Sequence, residues 1–155
     1  MADGFARIAG RAAVVTAQNG PAATLLVPGL AEAFKSSVPV VALVQDIARP
    51  ATDRNAFQEF DHPALFQACA KWVRRITEAA RIEDYVDMAF AVATGGRPGP
   101  AVLLLPTDLL LERVSVPRRR SAQLGTGEAQ QQPERIRGRQ RRYAGWRVAD
   151  RSVVA

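Results

Sequence analysis

The stretch that most constrains the fold is Arg11 to Gln45, RAAVVTAQNGPAATLLVPGLAEAFKSSVPVVALVQ. It reads as one βαβ unit. Ala12 to Thr16 is short, apolar and rich in β-branched residues, the pattern of a parallel strand buried on both faces. Asn19-Gly20-Pro21 breaks it: Gly tolerates positive φ, Pro fixes φ, and Asn can cap the helix that follows. Leu26, Leu30, Ala33 and Phe34 then recur at helical spacing, leaving Glu32 and Lys35 for solvent, and Ser36-Ser37 ends the helix. Val38 to Val44 is the second strand, with Pro39 near its start, where a missing N–H is tolerated.

Before that unit, Met1 to Gly10 carries Phe5 and Ile8 at helical spacing, with Gly10 as a stop. A helix this close to an initiator Met, with no cap or preceding strand, suggests that something upstream is missing. Asp46 to Phe60 is a polar, irregular connection, longer than a plain α/β loop and so a candidate functional loop. Asp61-His62-Pro63 has the form of a helix start, Asp as cap and Pro in the first turn, with Leu65, Ala68 and Cys69 as the apolar stripe. Trp72 to Ile76 could continue that helix or form a short strand. Ile82 to Thr94 is a helix with Ile82, Tyr85, Val86, Ala89, Phe90 and Ala93 on one face and acids in its early turns, ended by Gly95-Gly96. Arg97-Pro98-Gly99-Pro100 turns the chain into a third buried strand, Ala101 to Leu105. Strands and helices alternating in this way imply an α/β fold with a parallel, doubly wound sheet.

Charge divides the chain. Residues 1–112 hold ten basic and twelve acidic side chains, whereas residues 113–155 hold eleven arginines and three acids. With few aliphatic residues and no sustained period, residues 112–155 are expected to form a disordered, Arg-rich tail after a domain spanning residues 1–111. Two readings of that tail compete. Arg118-Arg119-Arg120 and the arginines from Arg137 to Arg142, with Tyr143 and Trp146, suit a nucleic-acid-binding arm. The abrupt loss of hydrophobic pattern also suits out-of-frame translation of a GC-rich gene, the favoured reading. The sequence has no apolar run of about 20 residues and no basic start followed by an apolar core. A cytoplasmic protein without a membrane span is therefore the expectation.

The order MADGFAR, TAQNGP, GLAEAFKSSVPVVAL, AFQEFD, KW and GRPGPAVLLLPTD resembles the N-terminal pyrimidine-binding domain of thiamine diphosphate-dependent enzymes, and among them the acetolactate synthase and pyruvate oxidase group. The likeness covers about Met1 to Leu110. It implies a six-stranded parallel sheet with helices on both faces, a homo-oligomeric parent enzyme, and thiamine diphosphate held between this domain and a pyrophosphate-binding domain of the dimer partner. It also implies chemistry on 2-oxo acids such as pyruvate.

By the same resemblance Gly20 and Pro21 approach the pyrimidine, Gln58 reaches the active-site region, and Phe57 and Lys71 line the substrate approach near the dimer contact. The family's catalytic Glu stands before the MADGFAR-like helix. This sequence begins after that place, so the Glu is absent, and two strands go with it. No downstream Gly-Asp-Gly motif is present, so no magnesium or diphosphate site is expected. The family's Gly-Pro-Gly-Ala-Thr-Asn is here Gly20-Pro21-Ala22-Ala23-Thr24-Leu25, and Pro28 falls inside the next helix, where it would cost about 3 kcal/mol or kink it. An isolated, inactive domain fragment is the leading expectation; an interaction protein with a basic tail, binding nucleic acid or a full-length paralogue, is the alternative.

The remaining candidates have plainer readings. Glu59 and Asp61 are read as solvated loop acids, His62 as a capping or surface residue, and Cys69 as a buried thiol. Glu32, on the wet face of a different helix, does not substitute for the missing Glu.

Overall fold

The computed structural model describes residues 1–114. The expected tail lies outside the described residues from Ser115 onward. Four parallel strands, β1 (Ala13–Ala17), β2 (Val40–Asp46), β3 (Trp72–Arg75) and β4 (Ala101–Pro106), form one sheet in the order β1-β2-β4-β3. Among the described residues six α-helices surround it: α1 (Ala2–Ala9), α2 (Pro21–Thr24), α3 (Val27–Lys35), α4 (His62–Gln67), α5 (Ile82–Thr94) and α6 (Thr107–Leu111). The α/β, parallel and doubly wound expectation holds, and the ambiguous Trp72 segment is a strand.

The central pair β2 and β4 is buried on both faces, because helices cover each side. Val40, Ala42, Val44, Val102 and Leu104 pack with Ala6 of α1, Leu30 and Ala33 of α3 and Phe66 of α4. Val41 and Leu103 point the other way by strand alternation, toward α5, which packs on β4 and β2. A contiguous apolar run was therefore the right signature for these two strands.

It was the wrong inference for β1. This strand pairs with β2 alone among the described residues, its burial alternates, and Val14 is 49 % exposed. The two-sided burial expected for it is corrected: a strand at the sheet edge, with Ala13 inward and Val14 outward, needs only one apolar face.

Three other readings change. Pro28 causes no kink, because the segment is two helices: α3 restarts at Val27 and places Pro28 in its first turn, where an N–H has no intrahelical partner to lose. Gly20, not Asn19, holds the cap position of α2, with no side-chain cap bond. α4 buries His62 and Phe66, with Leu65 half-buried against the core as expected and Cys69 buried just past the helix end; Ala68 faces out. Asp61 does cap α4, its carboxylate accepting the Ala64 N–H at 3.0 Å. On α5, Met88 joins Tyr85, Ala89 and Ala93 inside, while Val86 and Phe90 are half-buried, a small rotation of the expected face.

Candidate functional site

In a parallel sheet the chain leaves every strand at the same edge, and ligand sites gather there. Here β1 leads into the Gly20-Pro21 turn, β2 ends on Asp46, and β3 ends on Arg75. The long connection from Ile47 returns to this edge to deliver Phe57, Gln58 and then His62 at the start of α4.

His62 is the centre of the arrangement. It is 0 % exposed and lies between two elements. Its Nε2 accepts the Gly20 backbone N–H at 3.0 Å, and its Nδ1 lies 3.2 Å from Asp46 Oδ1. A ring nitrogen that accepts from an amide carries no proton, so the hydrogen of the neutral imidazole sits on Nδ1, facing Asp46. Phe66 stacks beside the ring, 6.5 Å between centroids and 16° between planes, and Phe60 lies at 5.9 Å. The surface or capping role expected of His62 is thus corrected.

Asp46 continues the chain of contacts. Its carboxylate, 5 % exposed, also accepts the Ile47 N–H at 2.9 Å, and Arg75 Nε lies 2.8 Å from Oδ2. The Arg75 Nε–H is not aimed along that oxygen, so the contact is an ion pair without a well-formed hydrogen bond. Burial works against the charged carboxylate, but the His62 hydrogen bond, the Arg75 charge and the Ile47 N–H together hold it below the usual aspartate range. Arg75 also donates to Thr52 Oγ1 at 3.1 Å, tying the loop to the end of β3.

Gly20 and Gln58 meet on the outer side of this chain. Gly20 has φ 61° and ψ −129°, a conformation open to glycine. A Cβ there would stand 2.8 Å from Gln58 Cβ. Gln58 itself has φ 61°, and Asp53 and Asn55 in the same loop are also left-handed, at 61° and 51°. Three such residues in six positions are held by Glu59, whose carboxylate accepts the Asp53 N–H at 2.7 Å and the Ala56 N–H at 2.8 Å. Those amides hold the Glu59 carboxyl below its ordinary range. Close by in the chain, three apolar side chains are open to solvent: Pro21, which follows Gly20, is exposed, Leu25 is 80 % exposed, and Phe57, which precedes Gln58, is 87 % exposed.

Lys71 stands elsewhere. Its Nζ donates to the carbonyls of Val92, Gly95 and Arg97 at 2.7, 2.6 and 2.9 Å, closing the C-terminal end of α5, and burial pushes its ammonium down. Cys69 is enclosed and its thiol is pushed up by burial, the opposite of an activated nucleophile. Among the described residues no group of three acids, histidines or cysteines could hold a metal ion, and no helix is long and apolar enough to cross a membrane.

Residues missed from the sequence are Asp46, Arg75 and Arg49. Arg49 donates to Asp108 Oδ2 at 2.6 Å, to Glu112 at 2.9 Å and to the Thr77 carbonyl at 2.6 Å, fastening the loop after β2 to α6. One signal was present: Asp46 closes a strand whose first five residues are apolar, and an acid carried into a core is rarely buried without a partner.

Comparison with known proteins places most of the described residues in one family. Residues 1–65 match the family described as thiamine pyrophosphate enzyme, N-terminal TPP binding domain. The chain is 36 % identical over 109 residues to the mitochondrial acetolactate synthase catalytic subunit of Saccharomyces cerevisiae. It is 42 % identical over 108 residues to a probable acetolactate synthase large subunit of Methanocaldococcus jannaschii, and 39 % to the isozyme 2 large subunit of Escherichia coli. Each match takes in 70 % of this chain but only 16, 18 and 20 % of those relatives, in that order. The matched part of the chain, about 110 residues, is thus part of the N-terminal TPP binding domain of thiamine pyrophosphate enzymes and is acetolactate synthase-like.

Proposed function

We propose that residues 1–111 act as the pyrimidine-side half of a thiamine diphosphate site in a protein related to those that use 2-oxo acids such as pyruvate, and that this chain alone is catalytically silent. The observation that carries the reading is the contact of Gly20 with Gln58: two motifs far apart in sequence pack together, with Pro21, Leu25 and Phe57 close by in the chain and open to solvent. An open rim of those side chains would suit the flat, weakly polar end of the cofactor. Gly20 and Pro21 would border the pyrimidine, Gln58 would offer its amide, and Phe57 would wall the approach of the substrate. Lys71 has its ammonium occupied by three carbonyls, so its effect on the substrate approach would be through the shape of the turn after α5.

Thiamine diphosphate, when bound, supplies the carbon nucleophile and the electron sink for decarboxylation and carboligation of 2-oxo acids. The described residues fit only its pyrimidine end. The acids beside the rim are committed: Asp46 to His62 and Arg75, Glu59 to two loop amides, Asp61 to the cap of α4. None is left to bond a ring nitrogen, and no described cluster would hold a magnesium ion for the diphosphate. These commitments support the reading that the chain by itself is silent. The relatives' designations as catalytic and large subunits support a further proposal, that the other half of the site comes from another polypeptide or another copy in a homo-oligomer.

The test is titration calorimetry of the full chain with thiamine and with thiamine diphosphate, with and without magnesium, beside a pyruvate decarboxylation assay. We expect weak binding that is equal for the two compounds, indifferent to magnesium and reduced in Phe57→Ala and Gln58→Ala, with no turnover. Turnover, or tight magnesium-dependent binding, would overturn the half-site reading. The charge separation favours a second role, since residues 113–155 hold eleven arginines against three acids. If that segment binds nucleic acid, retention on a nucleic-acid column is lost in salt and on deletion after Leu111.

A further inference from the structure

We propose that His62 is a proton-controlled positioning residue: as the neutral Nδ1–H form it holds the Gly20 turn against Gln58, and on protonation it lets that turn go. The argument is one of donor and acceptor counting. Neutral His62 has one acceptor nitrogen, and the Gly20 N–H occupies it at 3.0 Å. An imidazolium has none, because both of its nitrogens are donors. Protonation would therefore set an N–H against the Gly20 N–H inside a fully enclosed site, where neither donor could turn to water. The least costly response is for the Gly20 turn to withdraw.

The surroundings confine the effect of a proton on His62 to one side. Asp46 on β2 faces Nδ1 and accepts from it in either state, with Arg75 of β3 paired to the same carboxylate. Asp61, next in the chain, turns its carboxylate to the Ala64 N–H, and Glu59 turns its own to Asp53 and Ala56. Phe60 and Phe66 line the ring. Asp46 therefore anchors the imidazole in both states, and the change falls on Gly20. Gly20 in turn bears directly on Gln58, with room for no Cβ between them. One proton thus governs both sides of the proposed pyrimidine rim, an acid-sensitive control of that site. The idea concerns the rim assigned above, but its test reads only the protein, so it stands or falls separately from cofactor binding.

The chain has a single histidine, so its ring nitrogens are identified by NMR without mutagenesis. In the full chain near neutral pH we expect the nitrogen shifts of an Nδ1–H tautomer. On acidification the Gly20 and Gln58 amide resonances should move or broaden in step with the imidazole, while those of Ala42 and Leu104 in the sheet centre stay in place. In His62→Gln, whose side-chain oxygen can still accept from Gly20 but takes up no proton in this range, the coupled change should vanish. An Nε2–H tautomer at neutral pH, or an imidazole that titrates while Gly20 stays unmoved, would overturn the proposal, and both are read from the unaltered protein even if the variant does not fold.

Discussion

Gly20 and Gln58 are in contact with no space for a side chain between them: a Cβ on Gly20 would stand 2.8 Å from Gln58 Cβ and 3.2 Å from its carbonyl oxygen. Both residues have φ 61°. Gly20→Ala therefore meets two penalties, a disfavoured backbone and a collision with neighbouring atoms. Gly10 offers the matched control, with φ 63° as the C-cap of α1 and nothing within 4 Å of the place a methyl group would take. We expect urea unfolding to show a loss of about 1 kcal/mol for Gly10→Ala and roughly 2–4 kcal/mol for Gly20→Ala. Equal losses would mean that the Gln58 contact is slack.

The acid side of the stability curve should depend on Asp46. Its folded pKa lies below the ordinary 3.8, so the unfolded chain binds the proton more readily. The stabilisation is complete above that ordinary value and is lost as pH falls through the lower folded one. Asp46→Asn should cost about 2 kcal/mol at neutral pH, because Arg75 loses its partner, and should flatten the decline below pH 4. Chemical denaturation at a series of pH values reads both effects, and an unchanged acid slope would assign the decline to other carboxylates.

Lys71 is expected to matter for the end of α5. Replacing it with Met keeps the length of the stem but leaves the carbonyls of Val92, Gly95 and Arg97 without their shared donor. A loss of roughly 1–3 kcal/mol should follow, accompanied by faster hydrogen exchange at the Gly95 and Gly99 amides. Exchange that speeds up uniformly over the sheet would point to a general loss of stability without a local role for the ammonium.

Phe66 and Phe57 make a contrasting pair nine positions apart. Phe66 is fully enclosed against His62 and the sheet, so Phe66→Ala should cost about 3–5 kcal/mol. Phe57 is 87 % exposed, and Phe57→Ala should leave the thermal midpoint nearly unchanged, within about 0.5 kcal/mol. A large loss at Phe57 would show that it packs on something besides water.

The parts of the fold legible in the sequence were those in which one local pattern has one structural outcome. β4 and the Val40–Val44 part of β2 are apolar because both faces are covered, and Asp61-His62-Pro63 starts a helix as its chemistry requires. β1 has the same apolar character, but burial depends on what lies beside a strand, which no local pattern records. His62 was misread for a related reason. Beside Pro63 it has the look of a surface residue, and only the return of the loop to the sheet edge places it between Gly20 and Asp46, which come from two other elements. Arg75 and Arg49 were equally silent, since an arginine's neighbours in sequence give no sign of the carboxylates it will meet. The Gly-Pro and Phe-Gln-Glu motifs were found through resemblance; their mutual contact, and the left-handed loop that produces it, came from the structure.

The strand order carries a consequence for how the chain folds. Ala13 finds Val40 across a short helical connection, so the β1–β2 pair can close early and at modest entropic cost. Val41 finds Ala101 only after β3 and α5 have been laid down, and β4 must then slot between β2 and β3. The centre of the sheet is thus the last part to be completed, and folding should be slow for a chain of this size. Until β4 arrives, β2 and β3 each wait with an open side, so the interval before that insertion is when a newly made chain is most exposed to pairing with the wrong neighbour.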